Sequence, residues 1–509
     1  MIRRSLLLFL FSIIINQVLI AQVLPKEGSQ LNYRIVGFSF PVAKQTNQYK
    51  IEIASGNYYS EDSFKRNIIK TIDCKTGNTI GEVPAFGKQY TWRVNYVSRE
   101  PQTKNELYHF STGIIPEADT TNTRLKIINA AKQYNDAYVF VDGGRALYDM
   151  KGNPVWYLPY IDGAYTAPRD LKMSLMGTIT FLLGAQAYEV NYNGDILWKG
   201  PDKGTVSGDT SSEYYHHEFT RLANGHYMVL GDENYSKKLP AAEKDNSQLA
   251  NDKLTASPRK TFGTIIEYDE KNNVVWSWKC SKYFLNSDIA NYKGPESHKG
   301  LEVHQNAFFF DENTKMIYIG FKNISRIIKI KYPEGTVVSV FGEIFQPGIS
   351  EKGNGMFCGQ HSCGVTHDGY LYVFNNNDCN WPDYPSIVMM EQPISEQDTP
   401  KTIWEYPCNL QGITSGKQQD NAKKEFHRTG GGNVIELPDG SMFASLYAPY
   451  SNVFIVNRNK EILWNAIAEK WNGSEWTPNG QYRASIITNP KDLERLIWNQ
   501  EKSSASGVQ

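Results

Sequence analysis

The stretch that decides the fold is Tyr188-Glu189-Val190-Asn191-Tyr192-Asn193-Gly194-Asp195-Ile196-Leu197-Trp198. A β-prone run enters a turn made of Asn, Gly and Asp, and a second run leaves the turn and carries a tryptophan. Five further copies of this pattern, one with Phe341 in place of the tryptophan, occupy residues 148–156, 266–276, 328–341, 388–404 and 454–464. Radial β-repeats whose period is stretched by insertions predict a six-bladed β-propeller. Two unrelated β-domains are the alternative, and they leave the shared turn unexplained.

The composition agrees with an all-β protein. Aromatic residues make up 13% of the 509 residues, and 40 Gly and 23 Pro supply turns. The chain is 40% hydrophobic, and 53 basic residues against 54 acidic ones give a net charge of -1. This balance excludes a disordered chain and a strongly basic surface for nucleic acids or membranes, so we expect no nucleic-acid partner.

The amino terminus is typical of an export signal. Arg3 and Arg4 precede an apolar run over residues 5–15, and Ala21 offers a small residue before a cleavage point. We therefore predict a signal peptide over residues 1–21, a periplasmic mature chain and no membrane span within it. An uncleaved anchor is the alternative. The six cysteines then belong in an oxidising compartment that permits disulfides.

The remaining chain divides by pattern. Short alternating strands separated by Gly, Pro, Asn and Asp predict a small β-sandwich over residues 24–114, and one of them, residues 90–94, resembles a fibronectin type III strand. We interpret this domain as structural or oligomer-forming, which allows a homodimer. The catalytic propeller is predicted over residues 120–490, followed by a carboxy-terminal tail over residues 491–509.

Three histidines share one position in the repeat. His217, His304 and His361 each lie seven residues before the first residue of a turn, at 224, 311 and 368. The chain has nine histidines, so three coincidences at one aligned position are an unattractive result of chance. A residue just ahead of a blade's inner strand lies at one mouth of the central channel, so the three imidazoles should converge on one pocket. The adjacent His216 should point to the opposite face of the strand and support the site.

Two kinds of chemistry suit three channel imidazoles. They can ligate zinc and activate a water molecule. Alternatively, one neutral imidazole attacks a sulfuryl or phosphoryl group while its neighbours donate hydrogen bonds to the anionic oxygens. No Asp or Glu joins the aligned position, whereas Asn306 and Lys322 follow His304 closely. A cation suits an oxyanion and is a poor neighbour for a divalent metal, so we expect the nucleophile, with no metal and no cofactor.

Three segments that contain these histidines resemble the bacterial arylsulfate sulfotransferases, over residues 125–470. The segments run from His216-His217-Glu218-Phe219 to Asn224-Gly225, from His304-Gln305-Asn306 to Asp311, and from Gly359-Gln360-His361 to Phe374-Asn375-Asn376. The resemblance implies a periplasmic six-bladed propeller with an amino-terminal β-sandwich. It also implies an enzyme that moves a sulfuryl group from a phenolic sulfate to an acceptor phenol without a nucleotide donor.

The resemblance further implies the roles of individual residues. His361 is the nucleophile that becomes sulfated, which predicts ping-pong kinetics through a sulfohistidine intermediate. His217 and His304 bind the sulfuryl oxygens, and Asn306 assists them.

This chain departs from the family at one catalytic position. The family's strand after the His-x-Asn motif ends in Ser-Ser-Arg, whereas this chain has Gly320-Phe321-Lys322. Lys322 therefore stands where the arginine belongs, and it keeps the charge but loses the planar fork that grips two oxygens. Arg326, in the next strand, is the candidate that could reach in instead.

Two further pairs of residues are candidates for the functional site, but a purely structural role explains each pair equally well. Arg428 and Thr429 lie near the start of the last blade's inner strand, where they line the channel or form a solvated turn. The resemblance also implies a small disulfide loop beside the nucleophile, for which Cys358 and Cys363 are candidates; otherwise they are free or paired elsewhere.

Two other functional classes stay open. One is a metal-dependent hydrolase that uses the three channel histidines. The other is a catalytically degenerate propeller that only binds a ligand, for which the Lys322 replacement is the best sequence argument.

Overall fold

The computed structural model describes residues 23–42, 48–96, 106–202, 206, 214–235, 260–283, 301–342, 356–377, 384–392, 400–410, 430–447 and 450–499. Within them the chain consists of β-sheets with two short α-helices, which confirms the predicted all-β class. The contacts divide it into two compact units, residues 1–31 with 35–113 and residues 32–34 with 114–509. The predicted signal peptide lies outside the described residues. Within the described part, no helix is long and apolar enough to cross a membrane.

The first unit contains a five-stranded sheet and a two-stranded sheet. The larger sheet has the strand order β1-β7-β6-β3-β4, and β2 pairs with β5. Phe38 of the small sheet packs edge-on against Trp92 of the large one, with ring centroids 5.0 Å apart, and both side chains are fully buried. The elements are β1 (Ser29–Leu31), β2 (Ile35–Ser39), β3 (Tyr49–Ser55), α1 (Glu61–Arg66), β4 (Ile68–Cys74), β5 (Asn78–Glu82), β6 (Gln89–Tyr96) and β7 (Tyr108–Thr112).

The first eight strands of the second unit belong to three different sheets, whose strand orders are given below. These strands are β8 (Thr123–Asn129), β9 (Tyr138–Val141), β10 (Ala146–Asp149), β11 (Pro154–Tyr157), β12 (Arg169–Met173), β13 (Ile179–Leu183), β14 (Gln186–Val190) and β15 (Ile196–Lys199). The middle of the unit contains β16 (Tyr214–Arg221), β17 (Tyr227–Tyr235), β18 (Lys260–Tyr268), β19 (Val274–Lys279), β20 (Leu301–Glu302), β21 (Gln305–Asp311), β22 (Met316–Phe321), β23 (Arg326–Lys331) and β24 (Thr336–Gly342).

The end of the second unit returns to the first strands. It contains β25 (His361–Val365), β26 (Leu371–Asn375), β27 (Ser386–Met390), β28 (Thr402–Pro407), β29 (Asn433–Glu436), β30 (Met442–Ser445), β31 (Asn452–Val456), β32 (Ile462–Trp471), β33 (Trp476–Pro478), β34 (Ala484–Ile487) and α2 (Pro490–Trp498). Helix α2 covers part of the predicted tail. It contacts β34 and buries Leu493, Leu496 and Ile497.

The described strands of this unit form six sheets, numbered here in chain order. Sheet 1 is β11-β10-β9-β34, sheet 2 is β12-β13-β14-β15, and sheet 3 is β16-β17-β18-β19 with β20 beside β18. Sheet 4 is β21-β22-β23-β24, sheet 5 is β25-β26-β27-β28, and sheet 6 is β29-β30-β31-β32-β33 with β8 beside β32. Four-stranded antiparallel sheets of this kind are what β-propellers use as blades.

The first strands of these sheets contact one another in sequence. Strand β34 contacts β12, which contacts β16, and the series continues through β21 and β25 to β29. The series closes because β30, beside β29, contacts β34. Strands from the two ends of this unit pair in two of the sheets. The late strand β34 completes sheet 1, and the early strand β8 completes sheet 6.

The repeated turn has a common hydrogen-bond pattern. In four sheets an Asp or Asn side chain accepts from a backbone N–H four residues later: Asp149 from Asn153, Asn191 from Asp195, Asp269 from Asn273, and Asn457 from Glu461. The residue three places after each Asx is left-handed, with φ between 67° and 88°. Gly takes that position in two turns, and Asn272 and Lys460 take it in the others. This Asx turn explains the recurring Asn, Asp and Gly of the sequence.

The repeated tryptophan joins one sheet to the next. Its indole Nε1–H donates to a backbone carbonyl in a turn of the following sheet, from Trp156 to Tyr192 (2.7 Å), from Trp276 to Pro333 (2.7 Å), from Trp404 to Arg458 (2.8 Å) and from Trp464 to Met150 (3.1 Å). The last of these bonds links sheet 6 back to sheet 1. Phe341 in sheet 4 has no N–H for such a bond. The repeat is therefore kept by contacts between sheets as well as by the turn.

Candidate active site

The three aligned histidines lie where inner strands begin, and each is next to a β-bulge. The register between strands shifts after Tyr215 in β16, after Gln305 in β21 and after His361 in β25. His217 and His304 have left-handed backbones, with φ of 61° and 51°. Such conformations are uncommon for residues other than glycine and are concentrated at functional sites. The bulges turn the side chains out of the sheet alternation.

The three imidazoles meet in one cluster. The ring centroids of His217 and His304 are 5.0 Å apart, those of His217 and His361 are 6.3 Å apart, and those of His304 and His361 are 6.5 Å apart. One nitrogen from each ring lies within 4.8 Å of the other two. A single tetrahedral anion or a metal ion fits a cluster of this size. The predicted convergence therefore occurs.

His361 is held in one tautomer with one nitrogen free. Its Nδ1 lies 2.7 Å from Oδ1 of Asn376, and Nδ2 of Asn376 donates to the carbonyl of Gly431 at 2.9 Å. Because the amide N–H group is used on Gly431, Oδ1 is the acceptor and Nδ1 of His361 carries the proton. Nε2 is buried and has no hydrogen-bond partner among the described residues. It therefore presents a lone pair.

The electrostatics keep His361 neutral. Burial lowers the pKa of His361 well below its ordinary value of 6.5, and the charges of Lys322 and His304 lower it further. The pKa of His217 is likewise lowered well below 6.5, first by burial and then by the neighbouring imidazoles. A neutral imidazole whose lone pair accepts no hydrogen bond is a nucleophile or a metal ligand.

Lys322 lies in the site and Asn306 lies beneath it. The backbone N–H of Lys322 donates to the carbonyl of His304 at 2.9 Å, and its charge acts on His361. Nδ2 of Asn306 donates to the carbonyl of Gln360 at 2.7 Å, so this amide holds the backbone next to the nucleophile. Oδ1 of Asn306 is buried without a partner among the described atoms.

Of the predicted substrate-binding residues besides Asn306, only Arg326 lies among the described residues. Arg326 is buried at the start of β23, where its carbonyl accepts from the Gln360 side chain at 3.0 Å. Arg428 and Thr429 lie outside the described residues. The predicted disulfide between Cys358 and Cys363 is wrong, because Cys363 is a free thiol. Its Sγ donates to the carbonyl of Tyr318 at 3.8 Å, whereas Sγ of Cys358 accepts from Ser325 at 3.3 Å.

Sequence alignment of the repeats missed three residues that contact or influence the cluster. Asn376 belongs to the third family-like segment but had no assigned role. Tyr482 lies 5.5 Å from His217 and 6.4 Å from His361 between ring centroids, and its buried hydroxyl has no partner among the described residues. Arg483 follows it. Both precede β34 at the start of an inner strand, the position of the histidines, but their residue types give no signal of it.

The backbone of Tyr482 and Arg483 is fixed by one buried carboxylate. Asp142 accepts from the backbone N–H of Tyr482 at 2.8 Å and from that of Arg483 at 2.7 Å. Burial raises the pKa of Asp142 to about 7. This contact joins the end of the chain to the turn after β9 and so sets the position of the Tyr482 ring.

A buried network of four charges lies beside the cluster. Nη1 of Arg483 is 3.1 Å from Asp170 and 2.6 Å from Glu218, and Nζ of Lys172 is 2.7 Å and 3.2 Å from the same two carboxylates. Nη2 of Arg483 also donates to the carbonyl of Asn306 at 3.2 Å. The network pairs two cations with two anions, as buried charges require. It ties β12, β16 and the segment before β34 together under the site.

His216 does not point away from His217 as the strand alternation predicts. The left-handed backbone at His217 brings the adjacent rings together, with centroids 4.6 Å apart and planes at 87°. Nδ1 of His216 contacts Nδ1 of His217, and Nε2 of His216 lies 2.8 Å from Asp232. The supporting role predicted for His216 is kept, but from the same side of the strand.

Comparison with known families agrees with this site. The model of the family described as Arylsulfotransferase (ASST) matches residues 96–398, more than half of the chain. The chain belongs to the arylsulfotransferase family. This confirms the resemblance of the histidine segments, and membership makes the protein a sulfotransferase whose substrates are small phenolic molecules. The matched range contains His217, His304, Lys322 and His361.

Other comparisons add no functional information. No curated protein matches the chain. A protein of unknown function from Bacteroides caccae has 11% sequence identity and a TM-score of 0.41, with 69% of this chain and 98% of that chain covered. A putative 6-phosphogluconolactonase from Bacteroides fragilis has 9% identity and a TM-score of 0.34, with 88% and 99% covered. Likeness at this level carries no argument about the arylsulfotransferase site.

Proposed function

We propose that the protein is an aryl sulfate sulfotransferase that works through a sulfohistidine at His361. The observation that carries the proposal is the state of this imidazole. Its Nδ1–H is fixed on Asn376, and its buried Nε2 lone pair faces two further imidazoles, with the charge of Lys322 nearby. Such a nitrogen is ready to attack an electrophile that carries negatively charged oxygens.

In the first half-reaction the aryl sulfate transfers its sulfuryl group to the protein. Nε2 of His361 forms a bond to sulfur, the bond between sulfur and the phenolic oxygen breaks, and the phenolate leaves with the electron pair. Negative charge on the sulfuryl oxygens is met by His217, His304 and Lys322. A phenol with a pKa near 10 leaves far more readily than an alkyl alcohol, which gives the aryl preference.

In the second half-reaction an acceptor phenol takes the group from His361. The acceptor oxygen loses its proton to solvent and bonds to sulfur, and the bond between sulfur and Nε2 breaks. Asn376 favours this step because it leaves the proton on Nδ1, so the departing imidazole is neutral rather than anionic. A carboxylate at that position would compete for the proton, whereas an amide oxygen only accepts a hydrogen bond from it.

The remaining parts of the proposal concern architecture and location. We propose a six-bladed propeller for the second unit, supported by the closed series of contacts between the first strands of its sheets and by the tryptophan bonds that join four of the sheets to the next one. We propose a β-sandwich for the first unit, supported by the packing of Phe38 on Trp92. Export to the periplasm after cleavage near Ala21, and assembly as a homodimer, are proposed from the sequence alone.

The test is a single turnover with 4-nitrophenyl sulfate labelled at sulfur. We expect a burst of nitrophenolate equal to the enzyme concentration, a label on His361 after digestion, and faster turnover when a phenol is added. His361→Asn should lose the burst and the label. His367→Asn is the matched control, because this histidine has an exposed side chain whose ion-pair partner is Glu436. Label-free protein after a burst would refute the covalent intermediate.

A zinc hydrolase is the second candidate, favoured by one observation. The nitrogens of His217, His304 and His361 lie close enough together to hold a metal ion. The Lys322 charge opposes a divalent cation at the same point and favours an anion. Elemental analysis of the purified protein, together with loss of activity on chelation, would establish this function in place of the transferase.

A further inference from the structure

Sheet 2 contributes a cation at the end of the inner strands where the three histidines meet. Arg169 is the first residue of β12, as His361 is the first residue of β25. Each is followed by a register shift and by a residue with a left-handed backbone, Asp170 with φ of 57° and Ser362 with φ of 58°. Arg169 therefore occupies in sheet 2 the position that His361 occupies in sheet 5.

One aromatic ring connects Arg169 with the histidine cluster. Cζ of Arg169 lies over the ring of Tyr482, 5.3 Å from its centroid. The centroid of the same ring lies 5.5 Å from that of His217 and 6.4 Å from that of His361. The guanidinium and the imidazoles are thus separated by no more than one tyrosine ring and its contacts. A para-substituted phenyl sulfate is long enough to reach from one to the other.

The charge of Arg169 is not neutralised by a carboxylate. The residue is exposed, and among the described residues it forms no ion pair; its side chain contacts the Tyr482 ring instead. The neighbouring cations differ in this respect. Arg483 is paired with Asp170 and Glu218, and Lys172 is paired with the same two carboxylates. Arg169 is therefore available to an anion that enters from solvent.

We propose that Arg169 is a specificity-determining residue that selects aryl sulfates and acceptor phenols with a second anionic group, a carboxylate or a sulfate, on the ring. Resting on the proposed function, this inference names a substrate class for the same site. When the reacting oxygen lies at the imidazoles, a group on the far side of the ring meets the guanidinium. The planar guanidinium fork binds two oxygens of an oxyanion at once, and a neutral substituent makes no such contact.

The test compares two acceptors of similar shape and different charge. 4-Hydroxybenzoate has a carboxylate opposite the reacting hydroxyl, and methyl 4-hydroxybenzoate has a neutral ester in its place. With 4-nitrophenyl sulfate as the donor, nitrophenolate release gives kcat/KM for each acceptor. The two phenols differ in acidity, but this difference is the same for every variant. A change in the ratio of the two kcat/KM values, acid over ester, therefore reports the contact with the carboxylate.

We expect Arg169→Gln to lower this ratio by about 5-fold, the upper range for an ion pair at an exposed site. Arg169→Lys should give an intermediate ratio, because lysine keeps the charge but loses the fork. The matched control is Arg495→Gln, which removes the same charge from the same unit at a side chain whose ion-pair partner is Asp492. Its ratio should equal that of the wild type.

A second measurement needs no variant. Salt screens an ion pair at an exposed site, so the ratio of the wild type should fall as the sodium chloride concentration rises, and that of Arg169→Gln should change much less. Circular dichroism checks that each variant is folded.

The outcomes separate this inference from the proposed function. Equal ratios in folded Arg169→Gln and Arg495→Gln overturn the inference while the transfer reaction stands, and so does a wild-type ratio that salt does not change. A wild type that releases no nitrophenolate refutes the proposed function. Calorimetry with 4-hydroxybenzoate then still tests the site: we expect binding about 5-fold weaker in Arg169→Gln than in the wild type, and equal or absent binding overturns the inference.

Discussion

The hydrogen bond from Nδ1 of His361 to Asn376 is the contact whose loss should affect catalysis most specifically. Asn376→Ala removes the acceptor at 2.7 Å and leaves Nδ1–H buried without a partner. A buried donor left unsatisfied costs about 1–3 kcal/mol, which corresponds to about 5-fold to 150-fold in an equilibrium or a rate. The ring can escape this cost by moving its proton to Nε2, and that form has no lone pair for attack.

The neighbouring Asn375 provides a matched control. Both asparagines are buried, at 4% and 5% exposure, and both make hydrogen bonds that their replacement by Ala would remove. Asn375 accepts from the backbone of Cys358 at 2.9 Å and donates to Ser386 at 3.2 Å, but its described hydrogen bonds do not include His361. Asn375→Ala should therefore lower the free energy of unfolding without changing the tautomer of the nucleophile.

The assay is the rate of the nitrophenolate burst in a rapid-mixing experiment, with urea unfolding measured in parallel. We expect Asn376→Ala to slow the burst by about 5-fold to 150-fold and Asn375→Ala to slow it by less than about 3-fold, at similar losses of stability. If both variants slowed the burst equally, the effect would be one of folding, and the argument from the tautomer would fail.

Three further predictions concern pH, charge and the sheet contacts. Because His361 and His217 have lowered pKa values in the folded protein, these two residues bind more protons in the unfolded chain below pH 6.5, so their contribution to stability should fall with decreasing pH by at most about 2.7 kcal/mol per pH unit. Asp142, whose pKa is raised to about 7, contributes in the opposite direction, so urea titrations between pH 5 and 8 should compare the wild type with His361→Asn, and an equal pH dependence of the two would contradict this. Lys322→Met should slow the burst by about 10-fold to 100-fold through loss of a charged hydrogen-bond donor, with the exposed Lys331→Met as control, and equal rates would remove Lys322 from the site. Trp464→Phe removes the hydrogen bond to the Met150 carbonyl and should lower the free energy of unfolding by about 1 kcal/mol, whereas Trp198→Phe should lower it less, because Nε1 of Trp198 has no acceptor among the described residues. A larger loss of stability in Trp198→Phe would refute the role of the tryptophan hydrogen bond.

Much of the fold follows from local sequence rules. The Asx turns need Asn or Asp at their start and a residue that tolerates a left-handed backbone three places later, so they leave a readable signal at Asp149, Asn191 and Asp269. The tryptophan that follows each turn is equally visible. Its partner is not, because the carbonyl it reaches lies in another sheet and any residue can supply a carbonyl.

The site is predictable where the sequence marks a position with an unusual residue type. Three histidines at one place in the repeat are such a mark, and the structure brings them together. Tyr482 and Arg483 occupy the corresponding place before β34, but this strand joins a sheet whose other strands lie more than 300 residues earlier in the chain. No alignment of consecutive repeats includes it. The prediction of a disulfide between Cys358 and Cys363 was wrong for a related reason, because the spacing of two cysteines does not show which way each thiol points.

Strand alternation was the rule that failed inside the site, and the reason is physical. A β-strand places neighbouring side chains on opposite faces only while its backbone stays extended. At His217 the backbone is left-handed, so the ring leaves the face it would occupy and meets both His216 and His304. This strain costs stability and is kept only where surrounding contacts fix it. Replacing His217 with Gly should therefore relieve backbone strain while removing the imidazole, and the folded state should lose less stability than His217→Val, whose branched side chain opposes a positive φ.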